Sequence, residues 1–399
     1  MLKSNHYIKE THWLKFLLLQ MKTVCYNSYN YFSECLGDEL EKLGHRVEYF
    51  RLIDESYNSL ERYVGTNFDA IIDFNSELPR AFMDDNSYFL DHIDAPFYDF
   101  ILDHPLYHYK NLVETPHNFN VICLDDNHKN YIKEHHPHIK KIIVQPLTGN
   151  TVMESDNNVY DNYINREYDL LFTGTYTPPN DVMNAINELP FDINYGIKSS
   201  IDMMTADENV TVEETVRIIS KEPAWQYMQE NIPLYTSKLF FLADSYVRAK
   251  SRHDTVLELD KCHHKLHIFG GLWDKCPVQN AILHNEVSFP VSMLLQSKAK
   301  IALNTMPNFK SGCHDRVYSS QLNKAISLTN ITILLQREYV NNQSILFYSS
   351  NNLNNLAERV DSILADNNIN IKIAQNGYLI ASNNHNWTKI TMNILEQLI

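Results

Sequence analysis

The chain has 399 residues, 44% of them hydrophobic and 21% charged, an ordinary globular composition that provides for two or three domains, each with its own core. Its net charge of −15 excludes a general nucleic-acid binder, because nothing offsets repulsion from a phosphate backbone. The six cysteines are scattered without regular spacing and read as reduced thiols of a cytoplasmic protein, with Cys25 and Cys123 as small core residues.

The stretch "HWLKFLLLQ" (12–20) is apolar but too short to span a bilayer, and it lacks the small-residue cleavage site of a secretory signal. Residues 1–20 read as an extension upstream of a start at Met21, in preference to an amphipathic segment in weak contact with a membrane surface. The first strand is then expected at 22–26. Phe32, Leu36, Leu40 and Leu43 share one helical face, with Gly44 as a stop, and 46–52 is the next strand. Strand–helix–strand at the start predicts a parallel sheet. Buried strands follow at 68–74, 97–103 and 118–125, then the helix "NHKNYIKEHHP" and a strand within 140–147. Residues 21–150 thus form one Rossmann-like domain, and the polar stretch 151–168 is a linker.

A second domain spans 169–382. Its first strand runs into a Gly/Pro-rich loop at 169–179, and a helix starts near Asn180. The stretch at about 205–260 has helical spacing and reads as an insertion, with strands resuming at 265–274, 299–307, 327–335 and 344–350. Leu353, Leu356, Val360 and Ile363 mark another helix face, and 383–399 closes the chain with the stripe Trp387, Ile390, Ile394 and Leu398. The fold class is α/β, with two Rossmann-like domains facing across a cleft where the carboxyl ends of both sheets meet.

The candidate chemistry lies at strand ends. "FTGTY" (172–176) and "FGGLW" (269–273) place Gly174, Gly270 and Gly271 where backbone N–H groups can approach a ligand. Arg316, in the loop opening "SGCHDRVYSS", can grip a phosphate with two parallel N–H bonds, and His314 can donate to a phosphate or sugar oxygen or cap the helix. Arg248 and Arg252 lie four apart on one helix face and read as a solvated face more than as a site. Asp103 and His104, in "LDHP", end a buried strand before a proline and read either as groups pointing into the cleft or as a turn and cap. "KCHHKLH" (261–267) with Cys276 fits no closed zinc pattern. No GxSxG, Walker loop, HExxH or GxGxxG is present.

The segment from Asn304 to Asn330, "NTMPNFKSGCHDRVYSSQLNKAISLTN", resembles the signature of GT-B glycosyltransferases of the CgeB-like, spore-maturation-protein type. "DSYVRAKSRHDTVLEL" with "LHIFGGLW", and "NHNWTKITMNIL" near the end, are similar to the same family in the same order. The resemblance implies a bacterial, nucleotide-sugar-dependent, hexosyltransferase-like enzyme acting on a glycan, lipid-linked or protein acceptor. The alternatives are a non-catalytic sugar- or nucleotide-binding module on the same fold and a sugar-phosphate epimerase or phosphorylase. The resemblance also implies that the C-terminal domain holds the donor through Gly174, Thr175, Tyr176, Gly270, Gly271, Trp273, Asn304, His314, Arg316 and Ser319. Arg316 would neutralise the diphosphate, and Asp103 and His104 would stand on the acceptor side. Neither metal nor cofactor is implied, the nucleotide sugar being a substrate. The family's two glutamates, with seven residues between them, correspond here to Ser311 and Ser319, and its small residue before the next strand to Lys324.

Overall fold

The computed structural model describes residues 15–20, 28–51, 57–75, 81–152, 163–231 and 233–398. Among these, two six-stranded sheets carry the architecture, and every strand pair in them is parallel. The N-terminal sheet contains β1 (Lys15–Gln20), β2 (Arg46–Arg51), β3 (Ala70–Phe74), β4 (Phe97–Ile101), β5 (Phe119–Cys123) and β6 (Ile142–Val144), in the order β2-β1-β3-β4-β5-β6. Residues of β3 and β4 are buried throughout, as expected of parallel strands covered on both faces. Helix α1 (Ser28–Lys42) buries Phe32, Leu36 and Leu40 and ends at Gly44, whose φ of 90° is open to glycine. Short helix α2 (Tyr109–Leu112) and α3 (Asp126–His135) complete this half.

The first strand corrects the sequence reading. It is Lys15–Gln20, paired with β2 from Lys15↔Arg46 to Gln20↔Arg51 and with β3 through Phe16↔Ala70. The expected strand at 22–26 lies outside the described residues. The run "KFLLLQ" is therefore interior sheet, not an upstream extension, and Phe16 is 0% exposed. A strand flanked on both edges and covered by a helix has the same short apolar signature as a membrane-touching segment, so composition alone does not separate the two.

The C-terminal sheet contains β7 (Tyr168–Thr173), β8 (Leu266–Phe269), β9 (Ile282–His284), β10 (Ala299–Leu303), β11 (Ile326–Asn330) and β12 (Leu346–Tyr348), ordered β12-β11-β10-β7-β8-β9. The order reverses between β7 and β10, which opens a crevice at their carboxyl ends. Between β7 and β8 come α4 (Pro179–Asn187), α5 (Phe191–Ala206), α6 (Val212–Ile219), α7 (Pro223–Asn231) and α8 (Pro233–Leu259). The helical insertion thus starts ahead of the expected boundary near 205. Helices α9 (Phe289–Ser297), α10 (Asp315–Leu322), α11 (Ile333–Glu338), α12 (Leu356–Ala365), α13 (Asn367–Asn384) and α14 (Trp387–Leu398) follow. The sequence reading did not separate β9 or α13. The three residues of β9 are exposed or half-buried, so they carry no buried-strand signal.

Three packing features join the halves. One core runs from Phe16, Phe32 and Ile122 to Met306, Phe309, Val317, Ile390 and Ile394. Helix α14 crosses back onto α1, with the Trp387 and Phe32 rings 6.0 Å apart and Thr388 Oγ1 donating to Glu39 at 2.7 Å. The insertion buries Val216, Trp225 and Phe240 together with Leu106 and Tyr131 of the N-terminal half.

Candidate functional site

The switch-point crevice is built from the ends of β7 and β10 and from two helices that pass it. Thr173 ends β7, and Gly174 N–H donates to Phe269 O at 2.9 Å, tying the loop to β8. Arg248 and Arg252 sit one turn apart on α8. Arg316 lies in the first turn of α10 behind the cap residue His314, whose Nδ1 is 3.2 Å from Arg316 N and 2.7 Å from Asp315 Oδ1.

The three guanidiniums are held differently. Arg316 Nη1 donates to Thr173 O at 3.0 Å. Arg252 spans the crevice: Nη1 donates to Thr175 O at 2.6 Å and Nε to Thr305 Oγ1 at 3.3 Å, with the group lying over the Phe172 ring. Arg248 Nη1 donates to Tyr107 OH at 3.1 Å and lies 4.0 Å from Asp244 Oδ2. Burial lowers the Arg252 pKa, and its neighbours Arg316 and Arg248 lower it further. Burial and Arg248 also lower that of Arg316, against the opposing pull of Asp315. Burial acts the same way on Arg248, but Tyr107, Asp244 and Asp103 reverse it and raise its pKa. Among the described residues, no carboxylate lies within 4.0 Å of Arg252 or Arg316. Two half-buried cations anchored by neutral oxygens, beside the N–H groups of a helix start, make an arrangement able to receive a di-anionic group.

No family model and no curated protein matches the chain. Solved structures do resemble it. T4 phage BGT in complex with its UDP-glucose substrate superposes with a TM-score of 0.56 at 10% identity, covering 96% of this chain and 99% of that one. Anabaena HepE in complex with UDP-glucose gives 0.55 at 10%, again covering 96% and 99%. AviGT4, a glycosyltransferase of avilamycin A biosynthesis, gives 0.52 at 11%, covering 96% and 97%. The chain has the GT-B fold. In GT-B terms, the arginines sit in the C-terminal domain at its topological switch point.

The residues expected from sequence divide into two groups. Gly174 belongs to the crevice: a Cβ there would lie 3.4 Å from Arg316 Nη1 and 3.3 Å from the Phe172 ring, so glycine leaves the guanidinium room to cross the strand end. Thr175 is exposed and contributes its carbonyl to Arg252. Gly271 lies beside it, with Thr175 Cγ2 3.8 Å from the position of a Cβ. The remaining members of the two loops lock those loops together. A Cβ on Gly270 would meet Gly174 O at 2.1 Å, and Trp273 Nε1 donates to that same oxygen at 2.7 Å. Tyr176 is buried against Trp273, its OH 2.8 Å from His253 Nδ1. Gly270, Trp273 and Tyr176 thus shape the site without facing it.

Asn304 and Ser319 are structural too. Asn304 is buried and donates to Thr329 Oγ1 at 3.1 Å. Ser319 is 1% exposed, and its Oγ accepts the Asn150 N–H at 3.0 Å where the chain crosses between the sheets. Gly149 is required there, since a Cβ would stand 2.3 Å from Ser319 N. Lys324 is buried in a left-handed conformation at φ 60°, its Nζ over the Tyr378 ring. Ser311 Oγ is buried with no hydrogen-bond partner among the described residues.

On the N-terminal side, Asp103 Oδ2 accepts from Asn75 Nδ2 at 3.0 Å, and the carboxylate stays close enough to Arg248 to raise its pKa. His104 is 2% exposed, which corrects the expectation that it faces an open cleft. Leu106 N–H approaches its Nδ1 at 3.0 Å, which leaves Nε2 to carry the proton toward Glu213 Oε1, 2.9 Å away on α6. The insertion covers this strand end, a tertiary event that no local pattern announces. Sequence reasoning noticed Arg248 and Arg252 but read them as solvated. Their four-residue spacing shows a shared face, yet only the packing of α8 over β7 shows what that face meets.

The Cys/His run near 262 is also accounted for. Cys262 is buried in the core, and His263 and His264 both face Asp361, at 2.9 and 2.8 Å. Among the described residues, no group of three or more His, Cys, Asp or Glu could hold a metal ion, and no helix is long and apolar enough to cross a membrane.

Proposed function

We propose that this protein transfers a sugar from a nucleotide-sugar donor to a hydroxyl acceptor. The observation that carries the reading is the Arg252–Arg316 pair, half-buried at the switch point of a GT-B fold with no carboxylate within 4.0 Å among the described residues. Glycosyl transfer releases a nucleoside diphosphate, and negative charge grows on it as the glycosidic bond breaks. Fixed guanidiniums in a site that excludes water stabilise that charge more in the transition state than in the ground state. The two arginines would take the diphosphate. Arg248 would join them if its hold on Tyr107 and Asp244 loosens. Asp103, which the resemblance puts on the acceptor side, stands beside Asn75 and Arg248 at the N-terminal edge of the crevice and in this reading orients Arg248. His104, enclosed by α6, positions the insertion instead. A hexosyl donor, kinship with CgeB-like enzymes, a cytoplasmic setting in a bacterium and a glycan or protein acceptor rest on the motif resemblance.

A second reading has one observation in its favour. Ser319 is 1% exposed and its Oγ accepts from Asn150 N–H, so neither a carboxylate nor an accessible hydroxyl stands at that position to grip a donor. On this reading the chain binds a nucleotide sugar without turning it over.

Thermal unfolding with UDP, GDP, TDP, ADP and CMP tests the donor site. A ligand at about a hundred times its dissociation constant adds roughly 2.7 kcal/mol, a shift of a few degrees. One nucleotide should stabilise wild type while leaving Arg316→Ala and Arg252→Ala unmoved. No shift with any nucleotide would sink both readings. Release of free nucleotide from the matching nucleotide sugar, with acceptor present, then separates enzyme from binder.

A further inference from the structure

Beside the arginines lies a second compartment, a cavity of about 600 Å³ between the insertion and the carboxyl ends of β10, β11 and β12. Of its lining residues only Asn127 comes from the N-terminal half. We propose that this cavity holds the acceptor, and that it takes a neutral or amine-bearing hydroxylated group with an apolar face, not a phosphorylated one. The proposal rests on the glycosyltransferase reading and gives that reading an acceptor class.

Three observations support it. The first is position. Ser251 lines the cavity and the next residue, Arg252, grips the crevice; Thr305 accepts from Arg252 and the next residue, Met306, lines the cavity. The two compartments therefore share a wall one residue thick on each side. The second is chemistry. Met183, Met204, Val247 and Phe309 form apolar walls that adapt to a ring face. Opposite them, Ser251 Oγ lies 2.8 Å from Ser350 Oγ, and Asn330 Nδ2 donates to Ser350 Oγ at 2.7 Å, a row of groups able to exchange hydrogen bonds with hydroxyls. The volume suits a sugar unit with a small substituent.

The third is charge. Asp202, Glu208, Glu214 and Asp254 line the cavity with Lys250 and Lys310. Lys250 is paired with Asp254, and Lys310 Nζ donates to the Glu208 carbonyl. Glu208 Oε2 accepts from Ser349 Oγ at 2.9 Å and from Ser350 N at 3.1 Å, which ties the insertion to the end of β12. Among the described residues, no cationic group lies within 4.0 Å of the carboxylates of Asp202, Glu208 or Glu214. The cavity is thus net negative beside a positive crevice. A diphosphate is drawn to the arginines and repelled from the cavity, so the two substrates sort by charge.

Saturation-transfer NMR on the full chain, without nucleotide, tests this with four p-nitrophenyl glycosides: the β-glucoside, the 2-amino-2-deoxy-β-glucoside, the β-glucuronide and the glucoside 6-phosphate. The first two should bind, and the two anions should bind at least about tenfold more weakly. Val247→Trp, which fills the cavity, and Gln336→Trp, placed at its exposed rim so that folding is spared, should each abolish binding of the neutral glycoside while leaving nucleotide binding intact. Equal or tighter binding of the anions, unchanged binding in both variants, or no binding of any glycoside to wild type overturns the proposal. Nucleotide binding is read separately, so glycoside binding that persists while no nucleotide binds sinks the donor reading and spares the cavity.

Discussion

Arg252 and Arg316 are anchored by carbonyl and hydroxyl oxygens; burial lowers the pKa of both, Arg316 and Arg248 lower that of Arg252 further, and Arg248 lowers that of Arg316. A depressed pKa on a base means that the folded state disfavours the charged form, so these cations cost the unliganded protein stability at neutral pH. Arg252→Met keeps an unbranched apolar stem and removes the charge together with the guanidinium that lies over Phe172. The unliganded variant should therefore melt no lower than wild type while its nucleotide affinity falls by about tenfold or more, as loss of a hydrogen bond to a charged group implies. A calorimetric titration beside a melting curve shows both at once. Ser319 makes the opposite case. Ser319→Ala strands the buried Asn150 N–H and should cost about 1–3 kcal/mol in denaturant unfolding without altering nucleotide affinity. A clear affinity loss would return Ser319 to the donor site.

At the scale of elements, β1 matters most. It lies between β2 and β3, so the sheet cannot close around its absence. Phe16→Ala should cost about 3–5 kcal/mol, measured by urea unfolding, because the ring is fully buried. A chain begun at Met21 should fail to fold, visible as loss of the cooperative melt; normal melting would mean that β1 is dispensable. Most strands were legible because buried parallel strands are short apolar runs ending in polar residues, as at Ala70–Phe74 and Phe97–Ile101. The periodic faces of α1 and α14 were legible for the same reason: a helix that buries one side must repeat every three to four residues. Strand β9 and the start of the insertion were not, since an exposed three-residue edge and an all-helical stretch leave no boundary in hydropathy.

Across the whole molecule, the insertion clasps the N-terminal half. Tyr107 OH reaches Asp244 and Arg248, and His104 reaches Glu213. Burial alone would raise the Glu213 pKa; His104 more than reverses this and holds the carboxyl well below its usual range. A depressed acid contributes stability that is present above its unfolded value near 4.5 and is lost as pH falls toward the folded value. Wild type should therefore lose stability on acidification below about pH 4.5 more steeply than Glu213→Gln, which melting temperatures between pH 3 and 7 would show. His104→Ala leaves the Glu213 carboxylate buried and unpaired, so at pH 7 it should cost about 3–5 kcal/mol. Parallel acid profiles for wild type and Glu213→Gln would mean that the clasp carries no charge-linked stability.

Apolar runs and their periods, which depend only on neighbouring residues, determined by themselves most strands of the two parallel sheets and most of the helices that cover them, but not β1, β9 or α13. Tertiary structure alone decided which polar groups face the crevice. Arg252 comes beside Arg316 because α8 crosses the end of β7, where Arg252 bonds Thr175, 77 residues away in sequence, whereas Ser319 and His104 are claimed by Asn150 and Glu213 from other parts of the chain. Burial follows from local composition, but the partner of a buried polar group is set by whatever distant segment supplies its hydrogen bond.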